Sequence, residues 1–210
     1  MGKIAFVAAL LSLLLFLSTI VLGAAGFPGY SHVTHYISEL GANGAPHGQV
    51  VSLLGFIPAG IALMVFAFTA PRLLPRSAWT WLGFTFIGYY AFGLVAGGLF
   101  PCDFGCRPDH PSATQMIHDL MAGTGYLTGI TALLVLGIQA RRWPRGGHLL
   151  PLGIVCWAVA ALALPWLYPD SGHSGLGQRI VEACMYAWIL ACAFHVRRKT
   201  GRETAQGVAR

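Results

Sequence analysis

The stretch IAFVAALLSLLLFLSTIVL, Ile4–Leu22, carries no charge, no glycine and no proline, and its reading decides the class of fold. A helix rises about 1.5 Å per residue, so roughly 20 apolar residues cross a hydrocarbon core of about 30 Å. Lys3 before the run and Gly23-Ala24-Ala25-Gly26 after it could also belong to a secretory signal. The apolar run is longer than the roughly 7–15 residues of a signal core, and no A-x-A cleavage site follows it. It reads as a membrane-spanning helix.

Five more runs of this kind lie downstream: Val50–Ala70, Ala78–Phe100, Ser112–Ala140, Leu149–Leu167 and Leu176–Val196. The expected fold is therefore all-α, a polytopic bundle of six transmembrane helices occupying 1–196 as one domain. The remainder, 197–210, is a basic tail expected to be disordered past its first turn and attracted to anionic lipid. Composition agrees, at 56% hydrophobic and 10% charged, which is far from a water-soluble domain.

The spans sort the charges by sign. Lys3, Arg72, Arg76, Arg141, Arg142, Arg145, Arg197, Arg198, Lys199, Arg202 and Arg210 fall on one side, and only Arg107 and Arg179 on the other. That second side holds Glu39, Asp103, Asp109, Asp119, Asp170 and Glu182, together with His32, His35, His47, His110, His118 and His173. By the positive-inside rule the basic side is cytoplasmic, so both termini face the cytoplasm of an inner-membrane protein. The net charge of +6 is spread over short loops and the two ends, which suits membrane anchoring and not nucleic-acid binding. Trp79, Trp81 and Trp143 flank cytoplasmic ends, while Trp166 and Tyr168 flank an outer one. Gly93-x3-Gly97 and Gly125-x3-Gly129 invite close helix contact.

Cys156, Cys184 and Cys192 lie inside spans, where Cys acts as a small hydrophobe. Cys102 and Cys106 stand in an outer loop. Two readings are open for them: a local disulfide in an oxidising compartment, or a Cys102/Cys106/His110 zinc site.

The first outer loop contains Ser31-His32-Val33-Thr34-His35-Tyr36-Ile37-Ser38-Glu39-Leu40-Gly41. Ser31 suits an N-cap and Gly41 a C-terminal stop. His32, His35 and Glu39 share one helical face, and Val33, Tyr36, Ile37 and Leu40 the other, so the segment predicts a short amphipathic helix. Ser112-Ala113-Thr114-Gln115 predicts a capping box opening the fourth span. His118 and Asp119 follow within two turns. Arg179 and Glu182 sit at similar depth in the sixth span and are spaced to pair. Asp119 has no partner on its own helix and needs a histidine, a hydroxyl, Arg179 or a metal from another segment, or else a proton.

Three roles are open for these groups. His32, His35, His118 and Asp119 or Glu182 could hold a zinc ion that activates water. His118 with Asp119 or Glu39, and Ser38 nearby, could act as acid–base and catalytic groups without metal. The same groups could instead only close the outer mouth. Neither His-Glu-x-x-His nor Gly-x-Ser-x-Gly occurs, and Ser171-Gly172-His173 lacks the flanking motifs of membrane lipid phosphatases.

Tyr30-Ser31-His32, Tyr36-Ile37-Ser38-Glu39-Leu40-Gly41-Ala42, Phe100-Pro101-Cys102-Asp103-x-Gly105-Cys106 and His118-Asp119 together resemble the prokaryotic six-span family catalogued as domain of unknown function 998. The resemblance covers nearly the whole chain and implies the six-helix architecture, with no reaction attached. Ile37-Ser38-x-x-Gly41, with Pro46 and Gly55-Phe56, is more faintly similar to the Frag1/DRAM/Sfk1 group, which implies lipid-related work.

The favoured expectation is an outer-leaflet pocket handling a membrane lipid or other amphipathic substrate. Its binding residues are His32, His35, Arg179 and Glu182. If it is an enzyme, metal-assisted hydrolysis leads. The alternatives are a non-catalytic lipid-binding or assembly protein and a small transporter. The transporter lacks support because no charge lies mid-span and no inverted repeat is visible.

Overall fold

The computed structural model describes residues 1–208. Six helices are long and apolar enough to cross a membrane, as a multi-pass membrane protein requires. They are α1 (Gly2–Ala25), α2 (Gly48–Leu73, built of consecutive helical pieces), α3 (Ala78–Leu99), α4 (Ala113–Ala140), α5 (Leu149–Leu167, ending in a 3-10 turn) and α6 (Ser174–Val208). The expected tail begins inside α6 and ends outside the described residues.

Each helix packs on its neighbours in sequence, and α1 also packs on α6, so the six close into a ring. Phe6 and Phe194 meet with ring centroids 4.7 Å apart, and the Arg197 guanidinium lies 4.5 Å over the Phe6 ring. The start of α1 and the crossing end of α6 therefore share one end of the bundle, the basic end. Phe66, Phe84, Leu133, Leu136, Trp188 and Ile189 fill the interior, while Leu54, Phe68, Leu127 and Leu162 face outward, a distribution that suits lipid.

The expected small-residue contacts form. A Cβ placed on Gly93 would stand 4.0 Å from the Gly125 Cα, and one on Gly129 would touch the Tyr90 ring at 3.2 Å. The α3–α4 crossing thus brings two backbones together. Inside α2, a π turn at Ser52–Phe56 adds a residue to the helical path. Such turns often mark functional positions. This one aims Phe56 toward the ring's centre and lets the Ser52 hydroxyl donate to the Gly41 carbonyl at 3.3 Å.

The amphipathic helix expected over 31–41 is absent. The segment makes turns and then a 3-10 helix at Ser38–Gly41. The reason lies in where its backbone groups go. The Val33 carbonyl accepts from Leu176 N–H at 3.0 Å, the Thr34 carbonyl from the Ser174 hydroxyl at 2.7 Å, and the His35 carbonyl from Arg179 Nη1 at 3.3 Å. The Tyr36 N–H donates to Glu39 Oε1 at 2.8 Å and the Ile37 N–H to Gln178 Oε1 at 2.6 Å. The groups an α-helix would pair internally are instead committed to α6 and to nearby side chains, which satisfies them equally well.

Candidate functional site: a roofed cavity around a buried carboxylate

At the acid- and histidine-rich end, the loops joining α1–α2, α3–α4 and α5–α6 lock together. Cys102 and Cys106 are joined as a disulfide. The zinc alternative for that pair fails, because neither sulfur is a thiolate. The Asn43 N–H donates to the Cys102 carbonyl at 2.8 Å, and Ser38 Oγ lies 3.5 Å from Cys106 Sγ. Arg107 donates to the Ser174 hydroxyl and its guanidinium sits 4.9 Å over the Tyr36 ring, while the Tyr36 hydroxyl donates to the Leu167 carbonyl at 2.5 Å. Asp103 accepts from Ser112 N–H and Oγ at 2.9 and 2.7 Å. Ser112 caps α4 by accepting from the Gln115 N–H at 3.2 Å. Only half of the expected capping box forms, since the Gln115 amide turns away to the Asp103 N–H and to Asp119.

Arg179 is the clamp of this roof. It donates to the Tyr30 hydroxyl at 2.8 Å, His32 Nδ1 at 2.9 Å, the His35 carbonyl at 3.3 Å and the Gly175 carbonyl at 2.9 Å. It does not pair with Glu182, contrary to the expected spacing rule: Arg179 bonds the loop above and the Gly175 carbonyl, while Glu182 takes hydroxyls from two other helices. His35 Nδ1 accepts from the Ser31 N–H at 2.9 Å.

Below the roof lies a cavity of about 60 Å³, inside the ring and enclosed by α1, α2, α3, α4 and α6. Phe16, Phe56, Leu94 and Met121 supply apolar wall, and Ile37 and Ser38 close the top. Glu182 lies at its side, 4% exposed. One carboxylate oxygen accepts from the Tyr90 hydroxyl, the other from the Tyr126 hydroxyl at 2.8 Å. Tyr126 in turn accepts from Gln178 Nε2 at 2.8 Å, and Gln178 Oε1 accepts from the Ile37 N–H. A single chain of donors therefore runs from the roof backbone to the carboxylate, each pointing toward it. Both carboxylate oxygens thus serve as acceptors for tyrosine hydroxyls.

The remaining expected site residues are dispersed. His118 lines the cavity, and its Nδ1 donates to the Phe100 carbonyl at 3.0 Å, which leaves Nε2 as the basic nitrogen of the neutral ring. Asp119 is exposed and takes the Gln115 amide at 2.8 Å, so it has a neutral partner on its own helix after all. Glu39 is buried in the roof. Among the described residues no three His, Cys, Asp or Glu side chains are grouped so as to hold a metal ion. The set His32, His35, His118 and Asp119 does not converge: the first two belong to the Arg179 clamp, and the last two point to different faces of α4. Tyr90, Tyr126 and Gln178 were not anticipated. Gln178 stands four residues before Glu182, a shared-face spacing that could have revealed it.

The model of a family described as protein of unknown function (DUF998) matches residues 10–195. The chain belongs to that family. No curated protein and no solved structure matches this DUF998 chain.

Burial holds the Glu39 carboxyl above its ordinary range, against the opposing pull of the Tyr36 N–H and of His35, Arg107 and Arg179. A carboxyl whose folded value is raised costs nothing below the unfolded value, where both states are protonated. Its cost grows as pH rises from the unfolded value to the folded one and is constant above that. Wild type should therefore gain stability relative to Glu39→Gln as pH falls from neutral through the carboxylate range. Paired thermal melts across that range check this, and a constant difference would contradict it.

Proposed function

We propose that this DUF998 protein binds an amphipathic molecule, a lipid or lipid-like compound, from the outer leaflet of the inner membrane. The basic end would be cytoplasmic by the positive-inside rule and the roof would face outward. The observation that carries the reading is the cavity's double character. One side presents a buried carboxylate in a hydrogen-bonded chain. The other is the α3–α4 seam, where Gly93, Gly97, Met121 and Ala122 line the same cavity and are each half-buried. A head group would rest against Glu182 while an apolar tail leaves between α3 and α4 toward Phe92, Leu120 and Leu127, all exposed. Ionisable groups at membrane depth are expensive and mark function by default.

The non-catalytic form of this reading is favoured. Ser38 and His118 line one cavity yet do not hydrogen-bond to each other, and Asp119 stands outside it. The test is native mass spectrometry of protein released from membranes in mild detergent. Wild type should carry an amphiphile-sized adduct, and Ala122→Phe, which fills the seam, should lose at least half of it with an unchanged melting point. Wild type free of any adduct and unable to take up added short-chain lipid would overturn the proposal.

A further inference from the structure

We infer that the head group received by this cavity is a cation, an alkylammonium, with Glu182 as its counter-charge; the inference rests on the amphiphile reading above. Among the described residues no Lys, Arg or His pairs with Glu182, and the nearest candidate on its own helix, Arg179, is committed to the roof. Both donors to the carboxylate are neutral hydroxyls. Hydroxyls stabilise an anion but leave its charge uncompensated, and a buried unpaired charge is costly. Each carboxylate oxygen has a second lone pair left for a ligand. The surrounding wall is aromatic: Tyr90 and Tyr126 have centroids 6.3 Å apart, Phe16 and Phe56 6.4 Å, and all four line the cavity. Aromatic rings attract ammonium groups over their faces, so an aromatic-lined cavity beside a carboxylate suits a cation better than an anion. A cavity of about 60 Å³ has room for a small head such as a primary ammonium.

The experiment uses the full-length protein in a maltoside detergent and three probes of equal chain length: octylammonium, octanol and octanoate. Binding is read by intrinsic fluorescence and by thermal shift. Octylammonium, which adds an opposite charge to the hydrogen bond that octanol can also make, should bind about tenfold or more tightly than octanol. Octanoate should bind most weakly. Glu182→Gln, which keeps shape and an acceptor, should remove most of octylammonium's advantage over octanol, read as the ratio of the two affinities. The wild-type ranking stands as a test even if that variant folds poorly. Equal binding of ammonium and alcohol overturns the cationic head while leaving the amphiphile reading standing. If none of the three saturates, the amphiphile reading itself falls and takes this inference with it.

Discussion

Glu182→Ala is expected to destabilise the fold more than the loss of any other single polar side chain in the ring. Removing the carboxylate strands the Tyr90 and Tyr126 hydroxyls, and each buried hydroxyl left without an acceptor costs roughly 1–3 kcal/mol. The donor chain from the Ile37 N–H through Gln178 also loses its end point, so the roof should loosen with it. Glu182→Gln should cost much less, because its amide oxygen accepts from one tyrosine and its NH2 can donate to the other. Unfolding in mixed detergent micelles measures both variants. Removing both hydroxyls in the Glu182→Ala background, through Tyr90→Phe and Tyr126→Phe, should restore part of the loss. An alanine variant as stable as wild type would mean that the tyrosines do not depend on the carboxylate.

Gly175→Ala should lift the roof. A Cβ there would stand 2.2 Å from the His35 carbonyl oxygen and 2.9 Å from that of His32. Both are backbone atoms, so no side chain can swing aside. The α1–α2 loop must move off the start of α6, stretching the Leu176-to-Val33 bond and the Arg179 clamp. Overpacking of this kind costs about 1–3 kcal/mol. Amide hydrogen exchange should quicken over residues 31–41 and stay unchanged over residues 149–160 of α5, away from the Leu167 carbonyl where Tyr36 of the loop reaches that helix. Exchange that is uniform with wild type would show that the loop is not seated on Gly175.

Much of this was legible in the chain because the bilayer imposes a simple rule. Ile4–Leu22 and its five counterparts had to be helices; the structure lengthens the first, second and sixth at both ends and leaves the other three within one residue of the expected bounds. Ser112 was legible as a cap because a short hydroxyl before a helix has one strong use. Cys102 and Cys106 needed only proximity. The loop 31–41 was misread because helical periodicity describes which side chains share a face. It does not say where the backbone donors and acceptors go, and here α6 claims them. The cavity was half legible. Glu182 and His118 were noticed as costly polar groups at depth, yet Tyr90 and Tyr126 lie in apolar sequence, where an aromatic ring reads as packing. A mid-span tyrosine carries a hydroxyl that must find an acceptor, and that requirement was the available signal. Asp119 misled for the opposite reason: its partner was the uncharged Gln115 one turn earlier.

The most direct test is a high-resolution structure of the protein in lipid nanodiscs of its native membrane lipids. Density for an amphiphile should occupy the cavity, with its head within hydrogen-bond distance of the Glu182 carboxylate and its tail passing between Gly93 or Gly97 and Ala122. A cavity holding only water, beneath an α3–α4 seam closed to lipid, would contradict the reading of this site as a binding pocket.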